Sequence, residues 1–129
     1  MAATHRRTRP PRGTDRGAAS VEFAIAAPLI MLIISALTQG VLWGIGYLAA
    51  ESAAAHALRG TRAFGGNPAT GEAQARELLA QLAGPLVRDA RVTVRRSPAT
   101  TTVTIRATST GLSLPIEITM TAPTERYMP

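Results

Sequence analysis

The chain has 129 residues, enough for one small domain and a membrane-length segment, and its formal net charge is +6. It contains no cysteine, so disulfides, zinc–thiolate sites and thiol catalysis are excluded. The charge is unevenly spread. Residues 1–17 hold five arginines against one aspartate, a net charge of +4, whereas the remainder holds nine arginines against seven acids, or +2.

Residues 1–17 form a basic leader, and the composition of residues 1–16, with Pro10 and Pro11, predicts disorder. A basic arm that binds DNA is the competing interpretation. The leader runs straight into an apolar segment, however, and arginines beside a membrane span indicate its cytoplasmic side. We therefore expect no nucleic-acid partner and an N-terminus in the cytoplasm.

The junction between the leader and the apolar segment is the most informative part of the chain. It reads Arg16-Gly17-Ala18-Ala19-Ser20-Val21-Glu22-Phe23, and no charged residue follows from Phe23 to Ala50. This pattern resembles the processing site of type IV prepilins, in which a dedicated peptidase cuts after the glycine and leaves a glutamate at the fifth mature position. The resemblance implies a cut between Gly17 and Ala18, with Glu22 as that glutamate.

Glu22 lies where a carboxylate is costly unless it has a partner. After a cut, the new α-amino group of Ala18 would pair with Glu22 of the same or an adjacent subunit. The alternative is a carboxylate at a helix N-terminus, stabilised by the helix dipole. That alternative does not account for Arg16 and Gly17.

The apolar segment from Phe23 to Ala50 predicts a transmembrane helix, since roughly 20 helical residues cross the hydrocarbon core. Counted from Glu22, the far interface falls near Val41 to Gly44. Trp43 and Tyr47 lie there and are predicted to anchor the helix at the interface with the lipid bilayer.

Small residues recur every fourth position in this helix, at Ala36, Gly40 and Gly44. This spacing predicts a face on which other helices approach closely. Such motifs also arise by chance in alanine-rich helices, and that alternative stays open.

The helix is expected to continue outside the membrane, from Leu48 to Phe64. A stripe of small residues, which we call the alanine stripe, is predicted to pack against another helix; it consists of Ala50, Ala53, Ala54 and Ala57. The run Gly65-Gly66-Asn67-Pro68 then ends the helix.

The remaining residues predict a small domain. A short helix is expected from Gly71 to about Leu82, with Thr70 as its cap. From Arg91 onward, apolar and polar residues alternate with a period of two in three stretches, which predicts three half-buried strands. The predicted fold class is α+β: the long helix, then a short helix on a three-stranded antiparallel sheet. The predicted segments are 1–17, 18–64 and 65–129.

No constellation for catalysis is found. His56 has no partners for a metal site, and no serine has the histidine and aspartate needed for nucleophilic attack. Arg95 and Arg96 are most simply a solvated strand face and an edge. We therefore expect no enzyme activity, no catalytic residues, no cofactor and no metal.

The junction, followed by Pro28 and a leucine- and isoleucine-rich run, resembles the N-terminus of TadE-like proteins. These are pilin-like components of the tight-adherence (Flp pilus) machinery. The stretch from Ala53 to Arg62 is also similar to the alanine-rich region that follows the span in that family. The resemblance implies processing by a prepilin peptidase and a minor pilin or pseudopilin role beside other pilin-like subunits and pilus assembly proteins. It also implies residence in the cytoplasmic membrane, with the C-terminal domain extracytoplasmic.

Two other interpretations stay open at this stage. The apolar segment could be a signal peptide that is cleaved near Ala50 from a secreted binding protein, although it is long for a signal core. The chain could also be an unprocessed single-pass adaptor or sensor, with its arginine-rich leader intact.

Overall fold

The computed structural model of the protein describes residues 14–126, with side chains described from Arg16 onward. Its elements are α1 (Thr14–Arg62), α2 (Pro68–Leu82), a short 3-10 helix (Gly84–Leu86), β1 (Val87–Arg96), β2 (Thr100–Ser109) and β3 (Pro115–Pro123). The chain divides into two compact units between Ala36 and Leu37. Residues 1–13, with the disorder predicted for them, lie outside the described residues. For residues 14–16 the prediction of disorder is wrong, because they belong to α1. The predicted segment boundaries at 17 and 64 stay predictions.

The first unit is described over residues 14–36, all of them in α1. Its large apolar side chains are exposed, among them Phe23 at 73% and Leu32 at 66%. Among the described residues, α1 is the one helix that is long and apolar enough to cross a membrane. When such a helix spans a bilayer, lipid surrounds these exposed side chains.

The second unit holds the predicted α+β arrangement, and the fold class is confirmed. The sheet is antiparallel with strand order β1-β2-β3, so each strand pairs with its neighbour in sequence. The predicted period of two is visible in the register, where Val94, Val103 and Met120 stand side by side. The strands extend a few residues beyond the predicted runs, and β1 carries a register shift between Arg88 and Arg91.

The core lies between the apolar face of the sheet and the two helices. Its buried sheet residues are Val92, Val94, Val103, Ile105, Ala107, Ile116 and Ile118. The alanine stripe of α1 and Ala75 and Leu79 of α2 complete the same cluster. The C-terminal half of α1 is therefore part of the domain core, in addition to the short helix that the sequence placed there.

The start of α2 differs from the prediction. The cap is Asn67, whose side chain accepts a hydrogen bond of 2.9 Å from the backbone N–H of Ala69, and Pro68 is the first helical residue. The predicted cap Thr70 lies inside the helix. The Asn67-Pro68 pair is a cap followed by a first-turn proline, a start signal that also ends the preceding loop.

Candidate processing and assembly site

The predicted processing junction lies within the first two turns of the described part of α1. Arg16, Gly17 and Ala18 are all exposed. The hydroxyl of Ser20 donates to the carbonyl of Arg16 at 3.0 Å, one helical turn back. A side chain added at Gly17 would meet no atom within 4 Å. The junction is therefore held in helical form by local hydrogen bonds alone.

This geometry determines what a protease must do to reach the bond after Gly17. A protease binds its substrate extended, so the helix must open locally around the cut. Glycine in a helix interior is less favourable than alanine by about 0.5–1 kcal/mol, which makes opening easier at Gly17. Because no tertiary contact has to break there, the first turns can unwind without disturbing the second unit.

Glu22 is exposed on α1, one helical turn after Ala18. The ion pairs of the described residues, Arg62–Glu125 and Arg106–Glu117, do not include it. The described helix begins at Thr14, so Glu22 lies about two turns from that end. The helix dipole acts mainly within the first turn, so it gives Glu22 little stabilisation while the leader is present.

The predicted helix-packing residues stand at open positions. Ala36 and Gly40 are exposed, and Gly44 is half-buried. A side chain added at Gly40 or Gly44 would meet no atom within 4 Å. Within the second unit, the Gly40–Gly44 surface is therefore open to a partner, and the assignment of a partner helix stays a prediction.

The predicted interface anchors, Trp43 and Tyr47, pack on each other with ring centroids 5.3 Å apart. Both are half-buried against the core cluster of the second unit. The indole N–H of Trp43 donates to the carbonyl oxygen of Pro115 at 3.1 Å. The aromatic pair thus lies where α1 meets the start of β3, and its role at a membrane interface stays a prediction.

The alanine stripe packs inside the chain's own domain. All four alanines are completely buried within the chain's own domain, so the stripe is not available to other subunits. Gly46, four residues before Ala50, belongs to the same stripe. A side chain there would come within 3.0 Å of Ile116 and 3.1 Å of Val87. Spacing alone would have found Gly46, since it continues the stripe by one turn.

Arg96 is another residue whose role differs from the sequence interpretation. It is half-buried, not solvated. Its guanidinium donates to the carbonyl of Gly66 at 3.0 Å and to the carbonyl of Ala63 at 3.2 Å. These carbonyls follow the last turn of α1, where backbone acceptors lack helical partners. Arg96 therefore ties the sheet to the end of the long helix.

The long, exposed apolar helix fits a single-pass membrane anchor, and a small α+β domain follows it in the chain. A family model of TadE-like proteins matches residues 17–59. The resemblance to the TadE-like family is thereby confirmed over residues 17–59, which hold the apolar span and the alanine stripe. The family suggests a role in the assembly of tight-adherence pili.

The family match ends before α2, so it covers about a third of the chain and none of the sheet. No curated protein and no solved structure matches the chain. The function of residues 60–129 therefore has to be argued from the geometry of the domain itself.

Proposed function

We propose that this protein is a minor pilin or pseudopilin of a tight-adherence (Flp-type) pilus or a related secretion system, cut after Gly17 by a prepilin peptidase. The observation that carries the proposal is the placement of Gly17 and Glu22 at the start of an exposed apolar helix, inside the segment that matches the TadE-like family. The role is structural and not enzymatic. Its partners are other pilin-like subunits, pilus assembly proteins and the lipid bilayer, with the N-terminus cytoplasmic and the C-terminal domain outside.

A cut after Gly17 changes the electrostatics of Glu22. The helix would then begin at Ala18, and Glu22 would move from the third turn to the start of the second. There the dipole favours a carboxylate, and the new α-amino group stands one turn away on the same face. Processing thus supplies the partner that a carboxylate at the edge of a span requires. The same amine can pair with Glu22 of an adjacent subunit.

The size of the second unit favours a minor subunit. The resemblance implies that the main Flp fibre subunits are very short. This chain adds α2 and three strands after α1, with their own buried core. The chain therefore differs in size from those short fibre subunits, which favours an accessory role.

The signal-peptide alternative fits the fold poorly. A cut after Ala50 would fall in the middle of α1, at a residue that is completely buried. It would also remove the buried Gly46 and Trp43, whose indole N–H donates to the carbonyl of Pro115 at the start of β3. A secreted fragment beginning at Glu51 would therefore lack part of its own core.

The proposal is tested by mass spectrometry of the N-terminus in a host that contains the peptidase. We expect mature protein to begin at Ala18, and Gly17→Leu to retain the leader because a side chain at the cut crowds a narrow site. Gly40→Leu is the matched control, since that glycine is also unhindered in α1 and should be processed normally. An intact leader on the unmodified protein would refute the pilin-like function and favour the unprocessed adaptor.

The role of Glu22 is tested separately from the cut. Glu22→Ala should be processed and inserted normally, because removing a charge from the edge of the span eases insertion. Incorporation into the assembled pilus complex should fall several-fold. Glu51→Ala is the control, as Glu51 is an exposed glutamate of the same helix beyond the predicted span. Normal assembly of Glu22→Ala would remove the pairing mechanism and leave the processing proposal intact.

A further inference from the structure

The loop between β2 and β3, residues 110–114, presents two leucines outward. Leu112 is 66% exposed and Leu114 is 38% exposed. The other exposed large apolar side chains of the second unit lie on α1, at Phe64 just after it and at Leu82 of α2. Neighbouring exposed leucines on one short loop therefore mark an interaction surface.

The loop is held in one shape by its own hydrogen bonds. The backbone N–H of Ser109 donates to the carbonyl of Leu114 at 2.9 Å, and the N–H of Leu114 donates to the Ser109 hydroxyl at 3.2 Å. The N–H of Thr110 donates to the carbonyl of Leu86 at 3.0 Å. The two leucines are therefore displayed from a fixed base, which reduces the entropy lost when they bind.

The loop is also fastened to α1. The N–H of Leu112 donates to the side-chain oxygen of Gln39 at 3.4 Å. Gly111 has a φ of +90° and lies so close that any side chain there would collide with the Gln39 amide. Together with the bond from Trp43 to Pro115, these contacts hold the loop beside residues 39–43 of the helix.

That position coincides with the level at which α1 is predicted to leave the hydrocarbon. Roughly 20 residues after Glu22 bring the helix to Val41–Gly44. The adjoining residues suit an interface: Trp43 and Tyr47 are amphipathic rings. Arg88 donates to the hydroxyl of Ser113 at 3.0 Å, which brings a cation to the loop. Leucines at this level face the boundary between acyl chains and headgroups.

We propose that the β2–β3 loop is a membrane-docking element, in which Leu112 and Leu114 insert into the outer surface of the bilayer that α1 crosses and Arg88 faces the lipid phosphates. The occupant is lipid because the loop is bound to residues 39–43 of the helix, the level at which the helix is predicted to leave the bilayer. The inference rests on α1 being a membrane anchor, which is part of the proposed function, and is independent of the processing step. It fixes the domain at one height above the membrane.

The test uses the full chain, which has no native cysteine and can be labelled at single introduced ones. Leu112→Cys carries an environment-sensitive fluorophore in vesicles of phosphatidylethanolamine and phosphatidylglycerol. Phe64→Cys is the matched control, because Phe64 is comparably exposed, at 70%, but lies beyond the end of α1. Ile33→Cys reports on the span. A phospholipid with a nitroxide near its headgroup serves as the quencher.

We expect the label at position 112 to show blue-shifted emission and several-fold stronger lipid quenching than the label at position 64. Equal, water-like emission at 112 and 64, with lipid-like emission at 33, would overturn the docking proposal while the anchor stands. Blue-shifted emission at 112 that lipid does not quench, and that reverts as protein is diluted in lipid, would assign the surface to a second copy and overturn it as well. Water-like emission at 33 would refute the anchor, and with it both proposals.

Discussion

The two halves of α1 share one secondary structure and have opposite environments. From Phe23 to Leu37 the helix carries large aliphatic and aromatic side chains, and almost all of them are exposed. From Gly46 to Ala57 its fully buried positions carry only glycine and alanine, and they pack against the sheet and α2. Side-chain size therefore changes along the helix together with the medium that surrounds it.

The comparison shows how one helix is suited to two media. Large apolar side chains cover the backbone where lipid is the neighbour and maximise contact with acyl chains. Small side chains allow the helix to approach the sheet closely where protein is the neighbour, because interiors are packed without voids. In the first half a change in size is tolerated, whereas in the second half it is not.

The largest effect is expected from enlarging a buried alanine. Ala54→Leu adds three carbon atoms at a position with no exposed surface. Overpacking typically costs about 1–3 kcal/mol, and we expect this change to reach the upper end of that range because three atoms are added at once. Each kcal/mol lowers the melting temperature by roughly 4–8 °C for a unit of this size. Thermal unfolding of the detergent-solubilised protein measures the shift.

Ala36→Leu is the matched control for this prediction. Ala36 is an exposed alanine of the same helix, so the added side chain enters the solvent or lipid and should leave the melting temperature unchanged. Equal destabilisation by the two substitutions would show that the first half of α1 is also packed against protein, and the contrast between the halves would fail.

Most of the architecture was predictable because periodicity reports directly on burial. The period of two in β1, β2 and β3 and the length of the apolar helix confirm the predicted fold class. The partner of each small-residue face of α1 was not predictable from the sequence. Ala50 and Gly40 both lie on small-residue faces, yet the first is buried in the chain's own domain and the second is open.

The candidate site at Gly17 and Glu22 is a local motif, so sequence alone is enough to propose it, and its role stays a prediction. The contacts of Gln39 with Leu112 and of Arg96 with Gly66 join residues far apart in the chain. They depend on the register of the sheet against α1, which local patterns do not specify.

An intermediate effect is expected where α2 crosses the end of α1. A side chain at Gly71 would collide with the Thr61 hydroxyl, which is buried and has no hydrogen-bond partner among the described residues. Gly71→Ala should therefore cost about 1–3 kcal/mol. Gly60→Ala is the control. The nearest atom to a side chain there is the Gln74 amide oxygen at 3.4 Å, so this change should stabilise the helix by about 0.5–1 kcal/mol.

A double mutant isolates the cause of that effect. With Thr61→Ala the clashing oxygen is gone, and the next atoms near the Gly71 side chain are Thr61 Cβ at 3.5 Å and the Ala57 carbonyl oxygen at 3.6 Å, which are ordinary contacts. Thr61→Ala with Gly71→Ala should recover most of the lost stability in thermal unfolding. Strictly additive losses would show that the close approach of the helices is not the cause.

The smallest effect on the isolated protein is expected at the boundary between the two halves. Gly40→Ile with Gly44→Ile fills open space, since no atom lies within 4 Å of a side chain at either position. The melting temperature and membrane insertion should stay as they are, apart from the modest cost of β-branched residues in a helix. If this face meets another pilin-like subunit, close approach is lost and association should weaken several-fold.

Cross-linking in vesicles and co-purification of the pilus complex measure this association, with Val41→Ile as the control on a neighbouring exposed face. Unchanged association would mean that the small residues occur there by chance, and that the buried alanine stripe is the one small-residue surface of α1 with a partner.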